Sequence, residues 1–109
     1  MANCFTYTYK TLRKLGYDLP STWGKYSTSN MKEIENDSKL ITEAKMHYDY
    51  FESFCSYVKD IQPDDIVIND NGVGLAVNKY KFVTVCEKRT CRALMNITKD
   101  CKALRIDNG

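Results

Sequence analysis

The chain has 109 residues, which is enough for one domain with a modest hydrophobic core. Hydrophobic residues make up 43% and charged residues 28%, an ordinary globular mixture that excludes a disordered chain. No apolar run approaches the ~20 residues of a membrane helix, and no basic start precedes an apolar segment. We therefore expect a cytoplasmic protein with no signal peptide and no membrane contact.

The net charge of +2 is unevenly distributed along the chain. Residues 1–71 carry 8 Lys and Arg against 11 Asp and Glu, whereas residues 72–109 carry 8 against 3. A basic C-terminal half favours an acidic partner, although a solvated sheet face explains the same charges. The five cysteines form no CxxC pair and His47 is the single histidine, so we expect reduced thiols, no metal site and no cofactor.

The first predicted element is a helix that begins at Cys4. Asn3 is a good N-cap residue, and Cys4, Thr8, Leu12 and Leu15 follow at roughly helical spacing on one face. Gly16 then ends the helix, because glycine readily adopts the left-handed conformation that follows a helix.

The next segment, residues 21–29, is polar and turn-rich, and residues 30–58 are predicted to be mainly helical. A break is expected at residues 36–38, where Asn, Asp and Ser follow one another. After this break, an apolar stripe runs at helical spacing from Leu40 through Cys55 to Val58.

The pattern changes to short β-strands after Pro63. Five strands are predicted, at residues 66–68, 73–77, 81–86, 91–97 and 103–106. The order of helices first and strands afterwards predicts an α+β fold with an antiparallel meander. Residues 1–109 are expected to form a single domain, with a helical half at about 1–60 and a sheet half at about 61–109.

Five segments in order resemble the phage-type NlpC peptidases, a family of papain-like cysteine peptidases. Asn3 to Thr6 is similar to the Asp-Cys start of the family's nucleophile helix, and Leu15 to Pro20 to the Leu-Gly-Ile-x-Leu-Pro stretch after it. Gln62 to Val67 is similar to the Pro-Gly-Asp entry to the first strand. Gly72 to Leu75 resembles the His-Val-Gly-Ile strand, and Lys79 to Thr84 resembles the Gly-Lys-Phe-hydrophobic-His strand. The resemblance implies a papain-like fold, with N-terminal helices packed on a small antiparallel sheet.

The chain departs from the family pattern where the chemistry needs an imidazole. The resemblance makes Cys4 the nucleophile position, but Gly72 stands where the family has its catalytic histidine. Thr84 stands twelve positions later, where the family has its third polar residue. Neither residue can act as a general base at neutral pH, and such a base typically contributes ~10²–10⁴ in rate.

The resemblance and these departures together predict a catalytically inactive relative, in which amide hydrolysis is very poor. A phage-encoded protein-binding module, acting as a host-directed inhibitor or a virion-assembly factor in the host cytoplasm, is the expected function. One alternative is an active cysteine hydrolase in which Cys4 uses an unconventional base such as His47. A second alternative is a nucleic-acid-interacting accessory protein that uses the basic C-terminal half. The residues expected at the partner surface are Lys79, Lys81, Lys88, Arg89 and Arg92.

Overall fold

The computed structural model describes residues 4–20, 22–23, 26–27, 48, 50–70, 72–85 and 92–107. The predicted first helix is confirmed as α1, Cys4–Lys14. It ends at Gly16, whose φ of +97° is a left-handed conformation that favours glycine. The Tyr17 amide donates to the Leu12 carbonyl at 3.2 Å, which satisfies one of the helix's terminal acceptors.

Within the described residues, the strands form two sheets and establish an α+β fold. A two-residue pair, β1 (Thr22–Trp23) with β2 (Tyr26–Ser27), makes a small antiparallel ribbon. The main sheet has six antiparallel strands in the order β3-β8-β4-β5-β6-β7. Their bounds are β3 Cys55–Tyr57, β4 Ile66–Asn69, β5 Gly72–Ala76, β6 Lys81–Val85, β7 Arg92–Asn96 and β8 Lys102–Ile106.

All five predicted strands are present, but the helical prediction for the segment before them is partly wrong. Residues 50–52 are helical, whereas Cys55–Tyr57 is a strand that pairs with β8. The free edge of β8 offers backbone hydrogen bonds to this segment, and such tertiary pairing overrides local periodicity. The chain order is also not a simple meander, because β8 returns to lie between β3 and β4. Residues 30–47 of the predicted helical region lie outside the described residues.

The hydrophobic core has two clusters that follow the alternation of the strands. The first joins α1 to the sheet and includes Phe5 and Leu12 together with Ile66, Val73 and Leu104. The second consists of Val67, Ala76 and Phe82, with Ile61, Ile97 and Cys101 packed against it. Val67 lies between Ile66 and Ile68 of the first cluster, so the two clusters occupy opposite faces of the sheet.

Aromatic rings fix α1 to the helical turn that precedes β3. Tyr50 and Phe51 meet at right angles with ring centroids 5.0 Å apart, and Phe5 lies edge-on to Tyr50 at 5.2 Å. The Tyr50 hydroxyl donates to the Pro20 carbonyl at 2.8 Å, which satisfies the polar atom of this buried ring. These contacts hold the start of α1 against the sheet.

An ion pair between a buried carboxylate and a partly exposed arginine fixes the turn before β4. Asp65 has a side chain only 4% exposed, and its two carboxylate oxygens accept 2.8 Å hydrogen bonds from two nitrogens of Arg105. One of them also accepts the Gln62 amide at 2.8 Å. Within this turn Asp64 has a φ of +72°, which is unusual for a residue other than glycine.

Candidate functional site

Cys4 is the first residue of α1, as predicted, and it is almost completely buried. Only 5% of the residue is exposed, and it belongs to the first core cluster. Its carbonyl accepts a 2.8 Å hydrogen bond from the Thr8 hydroxyl one turn later. A helix N-terminus favours a thiolate through its unpaired amides and dipole, but a substrate needs an open approach to the sulfur as well.

Gly72 begins β5 and lies directly against the Cys4 side chain. A Cβ placed on Gly72 would be 2.9 Å from the Cys4 Sγ and 3.6 Å from its Cβ. The fold therefore brings together the two positions that the resemblance pairs, although 67 residues separate them in the chain. The Sγ overlaps the space that a side chain at position 72 would need.

The backbone of Gly72 is also unsuited to another residue. Its φ of +152° is a conformation that L-residues rarely adopt. A histidine at this position would meet both the backbone strain and the Cys4 sulfur. Glycine is therefore the residue that fits position 72, because it has no side chain and adopts this φ without strain.

Thr84, the third position of the predicted site, faces a different part of the sheet. Its hydroxyl donates to the Val73 carbonyl at 2.8 Å. A Cβ on Gly74 would lie 3.1 Å from the Thr84 Cβ and 2.8 Å from the Phe82 ring, so Thr84 shares the sheet face of Phe82. Phe82 belongs to the second core cluster, whereas Cys4 belongs to the first. The structure brings Cys4 and position 72 together and leaves Thr84 on the other face.

The predicted basic surface is divided between the two ends of the β6–β7 ribbon. Lys79 and Lys81 are exposed beside the turn that enters β6, where the Asn78 side chain accepts the Lys81 amide at 3.0 Å. Arg92 lies at the other end of the ribbon, because it pairs with Val85. Lys88, Arg89 and the proposed alternative base His47 lie outside the described residues.

Sequence reasoning missed an apolar edge between these basic ends. Among the described strands β7 lies at one edge of the main sheet, opposite β3. Leu94 is 58% exposed and Met95 46% exposed, and as neighbours on a strand they face opposite sides of the sheet. Tyr80 is 65% exposed, with the Lys79 ammonium 5.2 Å from its ring centroid. The run Ala93-Leu94-Met95 without polar alternation was the available signal, since a strand with one solvated face normally alternates.

Neither a cluster of metal ligands nor a membrane-spanning helix is found among the described residues. No group of three His, Cys, Asp or Glu side chains in the described part of the chain is arranged to hold a metal ion. No helix in the same residues is long and apolar enough to cross a membrane.

The comparisons with known proteins contribute no assignment. No family model, no curated protein and no solved structure matches this chain. The features of the molecule that bear on function are the geometry around Cys4 and the exposed sheet edge.

Proposed function

We propose that this chain is a non-catalytic NlpC-like, papain-like domain that works as a protein-binding module. The observation that carries the proposal is the contact between Cys4 and Gly72. The Sγ lies 2.9 Å from the position where a Cβ of residue 72 would stand, so the thiol occupies the space beside Gly72 and this position supplies no imidazole.

Three local features support the likeness to the papain-like family. The nucleophile position begins a helix, and that helix start lies against the beginning of the strand that carries the histidine in the family. Asp64 stands where the family has the glycine of Pro-Gly-Asp, and its φ of +72° is a conformation that glycine adopts most readily. Gly74 stands where the family's His-Val-Gly-Ile strand has its glycine. A Cβ at this position would lie 2.4 Å from the Val83 carbonyl oxygen.

The chemistry at Cys4 supports a binding function over hydrolysis. An amide hydrolase needs a base to activate the thiol and an acid to protonate the leaving amine, and a histidine normally does both. Position 72 supplies neither group, and the hydroxyl of Thr84 is engaged with the Val73 carbonyl. With 5% of Cys4 exposed, a peptide carbonyl also lacks an open route to the sulfur.

The β7 edge is the surface best suited to a protein partner. An edge strand presents backbone donors and acceptors to an extended segment, and Leu94 and Met95 offer apolar contacts on both faces. Lys81 and Arg92 at the two ends of the ribbon favour acidic residues in the partner. A phage-encoded host inhibitor or virion-assembly factor in the host cytoplasm remains the biological setting that the resemblance suggests.

A peptide-display selection tests the proposed binding function. The immobilised chain is screened against random peptides, and the enriched peptides are measured against three variants. We expect extended peptides that combine acidic and apolar residues. Leu94→Glu should weaken their binding by roughly tenfold or more, because it places a charge in the paired edge. Lys10→Glu, a charge change on the exposed face of α1, is the matched control.

The same peptides distinguish a binding module from an enzyme. Cys4→Ala should bind them as the wild type does, and the wild type should leave them uncleaved. Cleavage that depends on Cys4 would refute the pseudoenzyme and support the hydrolase alternative. Enrichment of peptides that are insensitive to Leu94→Glu would refute the β7 edge as the binding surface.

A further inference from the structure

A concave site lies where the segment after β3 meets the connection from β7 to β8. A groove of about 540 Å³ is formed by the segment that follows β3 and by the turn that leads into β8. This volume lies within the range of ~300–1,000 Å³ that small-molecule sites usually have. All of its lining residues belong to residues 57–61 and 97–103.

The floor of the groove is apolar and continues into the second core cluster. Val58, Ile61, Ile97 and Ala103 line it, and Ile61 and Ile97 also pack against the cluster of Val67, Ala76 and Phe82. The two isoleucines are only partly buried, so they expose apolar surface at the groove beside this buried cluster. An apolar body placed there would remove this surface from water, which is favourable.

The rim of the groove is cationic. Lys59, Lys99 and Lys102 are exposed and line it, and no Asp or Glu contributes to this lining in the described part of the chain. The chain neighbours Asp60 and Asp100 lie outside the lining. The Thr98 hydroxyl donates a hydrogen bond to the Asp100 carboxylate. This hydrogen bond lowers the pKa of that carboxyl and stabilises its negative charge within the turn.

We propose that this groove binds a small amphipathic anion, in which an apolar chain or ring covers Ile61, Ile97 and Ala103 and a carboxylate or phosphate meets the lysine rim. The charge complementarity decides the class of ligand, because three ammonium groups surround an apolar floor without an acidic lining residue. Leu94 and Met95 do not line this groove, and the proposal does not depend on the proposed protein-binding function.

The half-buried thiol of Cys101 lines one wall of the groove and makes polar contacts there. It accepts the Thr98 amide at 3.5 Å and lies 3.9 Å from the Asn69 side-chain nitrogen. These contacts tie the lysine-bearing turn to the end of β4. The rim is therefore fixed to the sheet, which reduces the entropy lost when a ligand binds.

Three ligands of equal chain length test the proposal: octanoate and octylammonium below their micelle concentrations, and octanol below its solubility limit. Binding is followed by methyl NMR shifts of Ile61, Ile97 and Ala103 during titration of the full chain. We expect saturable binding of octanoate, with octanol and octylammonium weaker by roughly tenfold or more, since exposed charge contacts contribute about that factor when several act together.

Charge-reversal variants then locate the anion. Lys99→Glu combined with Lys102→Glu should weaken octanoate binding by about tenfold, whereas Lys10→Glu combined with Lys14→Glu should change it by less than about twofold. The control pair has the same net change on exposed residues of α1, which packs on the other face of the sheet from the groove. Circular dichroism verifies the fold of both. Equal binding of all three ligands, equal weakening by both pairs, or shifts confined to methyls outside the groove would each overturn the proposal.

Discussion

The contact between Gly72 and Cys4 predicts a specific stability defect for Gly72→Ala. The new methyl group would start 2.9 Å from the Cys4 Sγ, a distance that real Cβ atoms essentially never show. The φ of +152° adds backbone strain that glycine does not have. Two separable effects therefore act at one position.

The size of each effect follows from the local geometry. Strained backbone conformations cost about 1–3 kcal/mol, and an extra methyl in a well-packed core costs about 1–3 kcal/mol more. Gly16→Ala isolates the first effect, because Gly16 also has a positive φ but nothing lies within 4 Å of its added Cβ. We expect Gly16→Ala to lower the free energy of unfolding by about 1 kcal/mol and Gly72→Ala to lower it by about 2–4 kcal/mol.

A double-mutant cycle with Cys4→Ala tests whether the sulfur causes the difference. Removing the Sγ leaves the Cys4 Cβ at 3.6 Å from the new methyl, which is ordinary van der Waals contact. The double variant should be more stable than the sum of the single effects, by a coupling free energy of about 1–2 kcal/mol. Urea unfolding of the four proteins measures this term. Additive effects within about 0.5 kcal/mol would refute the packing of Cys4 against position 72, and with it the main support for the pseudoenzyme.

Three further predictions concern other parts of the fold. Asp64→Gly should raise the free energy of unfolding by up to about 1 kcal/mol, because glycine adopts the φ of +72° without strain; urea unfolding that shows a loss instead would contradict this. Arg105→Met should lower the thermal midpoint by several degrees, because it leaves the buried Asp65 carboxylate without its guanidinium, and adding Asp65→Asn should recover part of the loss in a calorimetric scan. Burial raises the pKa of Cys55 to about 12 from 9.0, so the stability that its neutral thiol contributes is complete below pH 9 and is lost as the pH rises towards 12. The difference in unfolding free energy between wild type and Cys55→Ala should accordingly shrink across this range, and a difference independent of pH would refute the burial argument.

The parts of the fold that depend on local sequence were the predictable ones. The helix from Cys4 to Lys14 combines an apolar face with a glycine stop, and the strands after Pro63 are separated by clear turn residues. The strand at Cys55–Tyr57 was not predictable in this way, because its hydrogen bonds come from β8, about 50 residues later in the chain. A pattern of side chains within one segment contains no information about a partner strand so far away.

The candidate site likewise has a part that the sequence predicted and a part that depends on the pairing of distant strands. The resemblance pointed to Cys4 and position 72 as a pair, and the structure places them in contact. The conformation of Gly72 and the orientation of Thr84 depend on the twist and pairing of β5 with β6, which no motif specifies. The exposure of Leu94 and Met95 follows from the position of β7 at a sheet edge, and strand order is a property of the whole sheet.

The position of β8 between β3 and β4 has a consequence for the order in which the fold can assemble. β4 to β7 are neighbours in both chain and sheet, so they can pair as they are synthesised, whereas β3 has to wait for β8. Until residues 102–106 are made, the outer edge of β4 remains an open template for strand pairing with other chains. Closure across so many residues is slow compared with hairpin formation. The nascent chain therefore passes through a stage in which rapid completion of synthesis, or a chaperone on the β4 edge, protects it from aggregation.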